Sequence, residues 1–501
     1  MDIIASKINE VYVHLKCDDS IKADLNDFFS FYANNYEFHP LYKKHVWDGK
    51  VYLYSQKKSQ LYTGLLYYLV KFCAERKLKL QIDPLITTIN DLSDDAADKF
   101  IKSLNLVSRN KSIEPRDYQI KAFLKSTRFK RVLLLSPTAS GKSLIIYLLT
   151  RYLLNTDCKR GLLIVPTISL VEQMYGDFKD YSTANGWNVD ANVQKIYQGQ
   201  DKVISKSLTV STWQSIYEFP KKFFEQFDFV IGDEAHGFKA KSLTDIMCKL
   251  TNAKYRIGTT GTIDDTVVNK LTLEGHFGPA VKVTTTRELI DKKQLADFQI
   301  KCLVLKYPPH ICETIRSMGL DYHKEMEFLV GNEKRNKFIT NLTLSLEGNS
   351  LILFQFIEKH GIILYNMIRE KTKSFPDRKI FFVCGKTEAE DREQVRHITE
   401  NEKDAIIIAS YGVFSTGVNI RHLHNIIFAS PSKSKIRTLQ SIGRGLRLGE
   451  NKDKAVLYDI SDDLRIKDYI NYTLHHYAER MKIYQAEKHQ ISTHKVELKY
   501  D

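Results

Sequence analysis

The strongest constraint on the fold lies between Arg131 and Leu154. An apolar run, Arg131 to Leu135, leads through Ser136-Pro137-Thr138-Ala139-Ser140-Gly141-Lys142-Ser143 into a second apolar stretch, Leu144 to Leu154. Strand, glycine-containing turn and helix in that order are what a phosphate-binding loop requires. Backbone N–H groups of Thr138, Ala139, Ser140 and Gly141 would cradle phosphate. Lys142 would neutralise the β and γ phosphates, Ser143 would offer its hydroxyl to Mg2+, and the following helix would add its positive end. Ser136 stands where the general pattern has its first glycine, and Ala139 where many such loops have another. A left-handed Ala139 would cost about 1 kcal/mol. Read alone, the segment is also compatible with an ordinary turn.

Further apolar runs place that loop in a larger plan. Gly161 to Val165, Phe227 to Ile231 and Tyr255 to Gly258 alternate with amphipathic stretches, as expected of βαβ units around a buried parallel sheet. A second series follows at Ser350 to Phe356, Ile380 to Cys384, Ala405 to Ala409, Asn425 to Ala429 and Ala455 to Ile460. The expected fold class is α/β, with two doubly wound parallel-sheet domains in tandem. Arg287 to about Leu305, which contains Glu288-Leu289-Ile290-Asp291-Lys292-Lys293, reads as a helix leading into the crossover between them.

Phe229-Val230-Ile231-Gly232-Asp233-Glu234-Ala235-His236 sets paired carboxylates at the end of the next central strand, on the edge where such sheets bind nucleotide. Asp233 would hold the metal and Glu234 would take a proton from attacking water. Asp-Glu alone would suit a solvated strand end; with the loop at Lys142, catalysis is the better reading.

The loop and the carboxylate pair together resemble superfamily 2 helicases of the DEAH kind, and the other motifs of that family follow in order over roughly residues 110 to 460. Arg116-Asp117-Tyr118-Gln119 resembles the glutamine motif, which implies that Gln119 contacts adenine. Val165-Pro166-Thr167, Val210-Ser211-Thr212-Trp213-Gln214 and Gly258-Thr259-Thr260-Gly261-Thr262 resemble motifs Ia, Ib and III. The resemblance implies that Thr167 and Thr212 touch the nucleic-acid backbone, and that His236, Thr260 and Thr262 couple hydrolysis to movement. Taken singly, each threonine would serve equally well as a strand-end cap.

In the second series, Ile352-Leu353-Phe354-Gln355-Phe356 resembles motif IV, and Ala409 to Asn419, with Thr416 and Gly417 toward phosphate, resembles motif V. Gln440-Ser441-Ile442-Gly443-Arg444-Gly445-Leu446-Arg447 resembles motif VI, implying a coupling role for Gln440 and finger roles for Arg444 and Arg447. Removing such a finger costs on the order of a thousandfold in rate. The resemblance implies two RecA-like domains that use ATP and Mg2+. Along its whole length the chain also resembles phage recombination helicases. That implies an ATP-dependent DNA helicase or translocase acting as a monomer on branched DNA: stalled forks, Holliday junctions and R-loops, with RNA–DNA hybrids among them. An RNA helicase, or an annealing protein using ATP only as a conformational ligand, are the alternatives.

Composition agrees with a polyanionic partner: 74 Lys plus Arg against 60 Asp plus Glu give a net charge of +14. Apolar stretches fall short of the roughly 18 residues a membrane span needs, so no membrane partner is expected. Seven scattered cysteines, none in CxxC spacing, and the absence of a leader-like start suit a reducing, cytoplasmic setting, that of the host if the protein is a phage's. Four regions are expected: 1–100 for nucleic-acid recognition, 101–300 and 301–464 for the helicase domains, and 465–501 as a helical appendage. In the first, Val46 to Tyr54 reads as a hairpin turning at Asp48-Gly49. Tyr36, Phe38, Tyr42, Trp47, Tyr52 and Tyr54, interleaved with Lys43, Lys44, Lys50, Lys57 and Lys58, suit either base stacking or a small core. Lys467, His475, His476, Arg480, Lys482 and Lys488 suit either a nucleic-acid path or a solvated helix face.

Overall fold

A computed structural model of the chain describes all residues except 198–202, 264–265, 318, 320, 374–377, 386, 388–393, 396–397, 400–401, 417–422, 431–453 and 501. The chain forms two compact units, one comprising Met1–Ser136 and Gly141–Thr284, the other Pro137–Ser140 and Thr285–Asp501.

Alternating burial in Ile3–Lys7 (β1) and Tyr12–Lys16 (β2) starts the first unit. After Ser30–Tyr32 (β3) and Lys50–Tyr52 (β4) come Tyr54–Ser55 (β5), Gln60–Tyr62 (β6) and Leu80–Ile82 (β7). The small sheet runs β5-β6-β2-β1-β7, and β3 pairs with β4 alone. The expected hairpin around Asp48-Gly49 is therefore corrected: β4 pairs with Ser30–Tyr32, not with the residues just before the turn. The N–H groups of Val46 and Trp47 go to the Leu41 carbonyl, closing a short helix, so they cannot enter a ladder.

A two-residue pair, Val107–Ser108 (β8) with Lys111–Ser112 (β9), precedes the first large sheet. That sheet contains Arg131–Leu135 (β10), Gly161–Val165 (β11), Val193–Ile196 (β12), Leu208–Thr212 (β13), Phe229–Asp233 (β14), Tyr255–Thr260 (β15) and Ala280–Lys282 (β16). Its order is β12-β13-β11-β14-β15-β10-β16, and every pairing is parallel. Successive strand residues feed opposite cores: Leu133, Leu162, Ile164 and Val230 on one face, Val132, Leu134, Leu163 and Ile231 on the other. Each such side chain contributes about 1.5–3 kcal/mol of burial. Helix Lys142–Leu154, buried continuously from Leu144 to Leu149, covers the second face.

The second unit repeats the plan with Asp297–Lys306 (β17), Ser350–Phe354 (β18), Ile380–Val383 (β19), Ile406–Ser410 (β20), Asn425–Phe428 (β21), Lys454–Asp463 (β22) and Gln490–Glu497 (β23). The order is β19-β20-β18-β21-β22-β17-β23, again parallel. Two expectations need correction here. The helix read across Arg287 to Leu305 is confined to Thr286–Asp291, and β17 follows it. The C-terminal segment is helical only through Tyr472–Ala486, and then adds β23 alongside β17. Because β23 buries none of its residues, its strand character comes from backbone pairing with a ready sheet edge, which no apolar pattern announces.

Candidate active site

The loop after β10 begins with the Ser136 N–H donating to the Thr260 carbonyl at 2.8 Å, which sets the loop against the end of β15. Ala139 does adopt the left-handed backbone, at φ +66°, as does Gly141 at +79°. The Ser140 hydroxyl closes the turn on the Pro137 carbonyl at 2.7 Å. Gln119 supports the far side: its Nε2 donates to the Gly141 carbonyl at 3.3 Å, and its Oε1 accepts the Arg116 N–H at 2.8 Å. A Cβ at Gly141 would come within 2.4 Å of that Nε2, so glycine is required by space as well as by φ.

Helix Lys142–Leu154 starts at the loop and aims Lys142 at the carboxylates, with Nζ 3.5 Å from Glu234 Oε1. Glu234 is itself left-handed, at φ +49°, a second non-glycine residue held in a costly conformation at the same site. Asp233 Oδ1 accepts the Thr259 hydroxyl at 2.7 Å. Thr260 gives its hydroxyl proton to the Thr262 carbonyl at 2.9 Å, so His236 Nδ1, 3.1 Å away, must be the donor to Thr260. The same Nδ1 lies 3.4 Å from Glu234 Oε2. Lys142, Asp233, Glu234, His236, Thr260 and Thr262 thus form one connected set at the C-terminal edge of the sheet.

The two carboxylates are driven apart electrostatically. Burial raises Asp233, and the neighbouring Glu234 charge raises it further. Burial pushes Glu234 up as well, but the Lys142 ammonium and the His236 ring outweigh it and hold Glu234 down at about 2. Such a site demands positive charge at Asp233, and the donor set of Ser143 and Asp233 suits a hard cation. The loop's glycine and its lysine suit a polyphosphate.

Three contributors escaped sequence reasoning. Tyr181 places its hydroxyl 3.0 Å from that of Ser143, and nothing in its helical context singles it out. Thr259 lay inside a recognised motif without a role. The Arg116 N–H, which orients Gln119, is legible only as a helix cap.

The other sequence candidates are placed as follows. Thr167 caps helix Ile168–Ser182 through the Leu170 N–H, and Thr212 holds Ser215 at 2.8 Å. Thr416 ends helix Tyr411–Thr416, while Gly417, Gln440, Arg444 and Arg447 lie outside the described residues. In the N-terminal region Tyr54 is buried, whereas Phe38 and Tyr52 are exposed and Tyr32 stacks on Tyr36 at 4.5 Å. Lys50 lies over the Tyr32 ring at 5.3 Å. Arg480 alone departs from both readings of the C-terminal run, being fully buried on Asp459, whereas Lys467, His475, Lys482 and Lys488 are exposed.

Residues 4–83 match the N-terminal family of the DNA helicase UvsW, 112–265 the type III restriction enzyme res subunit, and 333–449 the helicase conserved C-terminal domain. The ATP-dependent DNA helicase uvsW of Enterobacteria phage T4 is 34% identical over 505 aligned positions, covering 97% of this chain and 98% of the relative. The crystal structure of T4 UvsW matches with a TM-score of 0.54 at 32% identity over 100% of both chains. The DNA 3'-5' translocase XPB2 of Sulfurisphaera tokodaii is 25% identical over 374 residues, 69% of this chain and 80% of the relative. Among the described residues no helix is long and apolar enough to cross a membrane. With an N-terminal module, two helicase regions and near-complete coverage in common, the chain belongs to the UvsW family of ATP-dependent DNA helicases.

Proposed function

We propose that this helicase remodels branched DNA, namely stalled forks, Holliday junctions and R-loops, and that residues 1–100 recognise the junction while the two parallel-sheet domains drive movement. It acts as a monomer, in the host cytoplasm. The observation that carries the catalytic part is the Lys142, Glu234 and His236 cluster, in which an ionised carboxylate is kept beside a lysine positioned for phosphate.

Lys142 and the backbone of Thr138 to Gly141 hold the phosphates, and Gln119 braces the loop and faces the base. Ser143 and Asp233 would hold Mg2+, which when bound would supply positive charge to the site. When Lys142 turns to phosphate, Glu234 loses its strongest stabiliser, and its proton affinity rises toward that of a working base. It then takes the proton of the attacking water. Arg444 and Arg447 neutralise charge spreading on the transferred group. His236 connects Glu234 to Thr260 and Thr262, and Gln440 completes the coupling. Thr167, Thr212, Thr416 and Gly417 meet the nucleic-acid backbone.

The test is steady-state ATP hydrolysis by wild type and Glu234→Gln with no nucleic acid, single-stranded DNA, four-way-junction DNA or RNA. Junction DNA should stimulate the wild type most, and the substitution should lower turnover by about 10²–10⁴-fold while sparing DNA binding. Preferential stimulation by RNA would assign an RNA substrate instead. Equal, unstimulated turnover in both proteins would leave an annealing protein that uses ATP only as a ligand.

A further inference from the structure

Helix Val267–Phe277 joins two parts of the first unit that function would need to connect. Its C-terminal Phe277 fills a slot created by Gly232 and Gly258, which are directly paired on β14 and β15. A Cβ at either glycine would lie within 3.0 Å of the Phe277 ring. Gly232 immediately precedes Asp233, and Gly258 lies two positions before Thr260. Phe277 also packs edge-on against Phe238, just beyond His236, at 5.1 Å. Buried Arg256, on β15, clamps the same end by donating to the His276 carbonyl at 2.8 Å.

The helix's other side belongs to the N-terminal domain. Leu271 is part of that domain's hydrophobic core, together with Leu61, Leu65 and Leu69. The Tyr68 hydroxyl donates to Glu274, and Tyr62 packs against His276 at 5.0 Å. Gly64 sits so close that an added Cβ would come within 2.1 Å of the Glu274 carbonyl oxygen and 2.6 Å of that of Gly275. Neither contact surface has slack, and close-packed interfaces transmit displacement rather than absorb it.

We infer that helix Val267–Phe277 is a lever that carries the state of the nucleotide site, read at Gly232 and Gly258, into the N-terminal domain. Leu271, Glu274 and Gly64 are its coupling residues. The inference rests on the proposed role of that domain in engaging DNA. Hydrolysis shifts the two strands, Phe277 follows, and the helix swings the domain that contacts the junction.

Hydrogen exchange on full-length Glu234→Gln, with and without ATP and Mg2+, tests the lever directly. Exchange rates should change at least threefold in both 267–277 and 62–68. Changes that stop at the strands and never reach 62–68 overturn it. In Gly64→Ala, base pairs separated per ATP should fall at least fivefold while DNA-stimulated hydrolysis stays within twofold of wild type. Proportional loss of both, or loss of neither, also overturns it. A Trp47→Ala, Lys50→Ala double variant separates the two ideas. If it leaves strand separation intact, the DNA-engaging role of the domain is what fails; if it lowers strand separation and Gly64→Ala does not, the lever fails.

Discussion

In the second unit Arg335 with Asp462, and Arg480 with Asp459, are wholly enclosed, and each guanidinium meets its carboxylate through two hydrogen bonds. Tyr307 and Tyr484 add a hydroxyl donor to each pair. In the first unit Asp233 and Glu234 stand side by side, sharing one lysine, one histidine and one threonine hydroxyl. Each of the two arginines of the second unit meets its counter-charge within the fold, although Arg335 Nη1 is buried without a hydrogen-bond partner among the described residues. Asp233, raised by burial and by the Glu234 charge, has no cationic side chain of its own against it among the described residues, and a bound cation would relieve that. Burial alone does not mark a candidate catalytic charge; a buried acid set beside a second acid, rather than against an arginine, does.

The largest effect expected from this contrast concerns stability. Arg335→Ala should cost about 3–5 kcal/mol in urea unfolding of the full chain, because Asp462 would be left buried and unpaired. Asp233→Asn, by comparison, should abolish hydrolysis while leaving the unfolding midpoint unchanged or raised, since the ionised form is disfavoured in the fold. A double replacement, Arg335→Met with Asp462→Leu, should recover most of the loss. Equal midpoints for Arg335→Ala and Asp233→Asn would break the comparison.

Acid lability comes next. Burial lowers His276 and His360 to about 3 and His489 to about 4, with the Arg256, Arg335 and Arg287 charges adding to it in turn. Below the ordinary value of 6.5 the unfolded chain binds protons that the folded chain refuses. Stability therefore falls with pH by up to about 1.4 kcal/mol per unit for each histidine. Glu234 extends the loss from its ordinary 4.5 down to about 2, again because only the unfolded form takes the proton. Asp233, raised in the fold, works in the opposite direction. Urea midpoints at pH 7, 6 and 5 should decline, and His276→Asn should flatten that decline.

The smallest effect is expected at Tyr181→Phe. Losing one hydroxyl contact to Ser143 should shift half-saturation by magnesium nucleotide about two- to tenfold, with the unfolding midpoint nearly unchanged. An unaltered half-saturation would remove Tyr181 from the site.

Much of the site was legible because its parts are local. A phosphate loop is a strand, a turn and a helix consecutive in sequence, so Ser136 to Ser143 can be read without the rest of the chain. The strands from Arg131, Gly161 and Ser350 announced themselves because strands buried on both faces must be continuously apolar. β23 was not legible, for its residues pair through backbone onto an edge that exists only once β17 is in place. The Asp48-Gly49 turn misled for a related reason: its backbone donors were claimed by Leu41, a competitor that the turn signal does not contain.

Sequence by itself carried the two-sheet plan, through the periodicity of its apolar runs, and singled out Lys142, Asp233 and Glu234 as candidates through their place at strand ends, while the family followed from the resemblance of its ordered motifs to known helicases. Tertiary structure alone decided that Tyr181 meets Ser143, that Arg480 is an internal counter-ion, and that one helix seats Phe277 over two paired glycines while Leu271 enters another domain's core. Those facts depend on which surfaces come to face each other, and packing partners far apart in sequence leave no periodic trace in either segment.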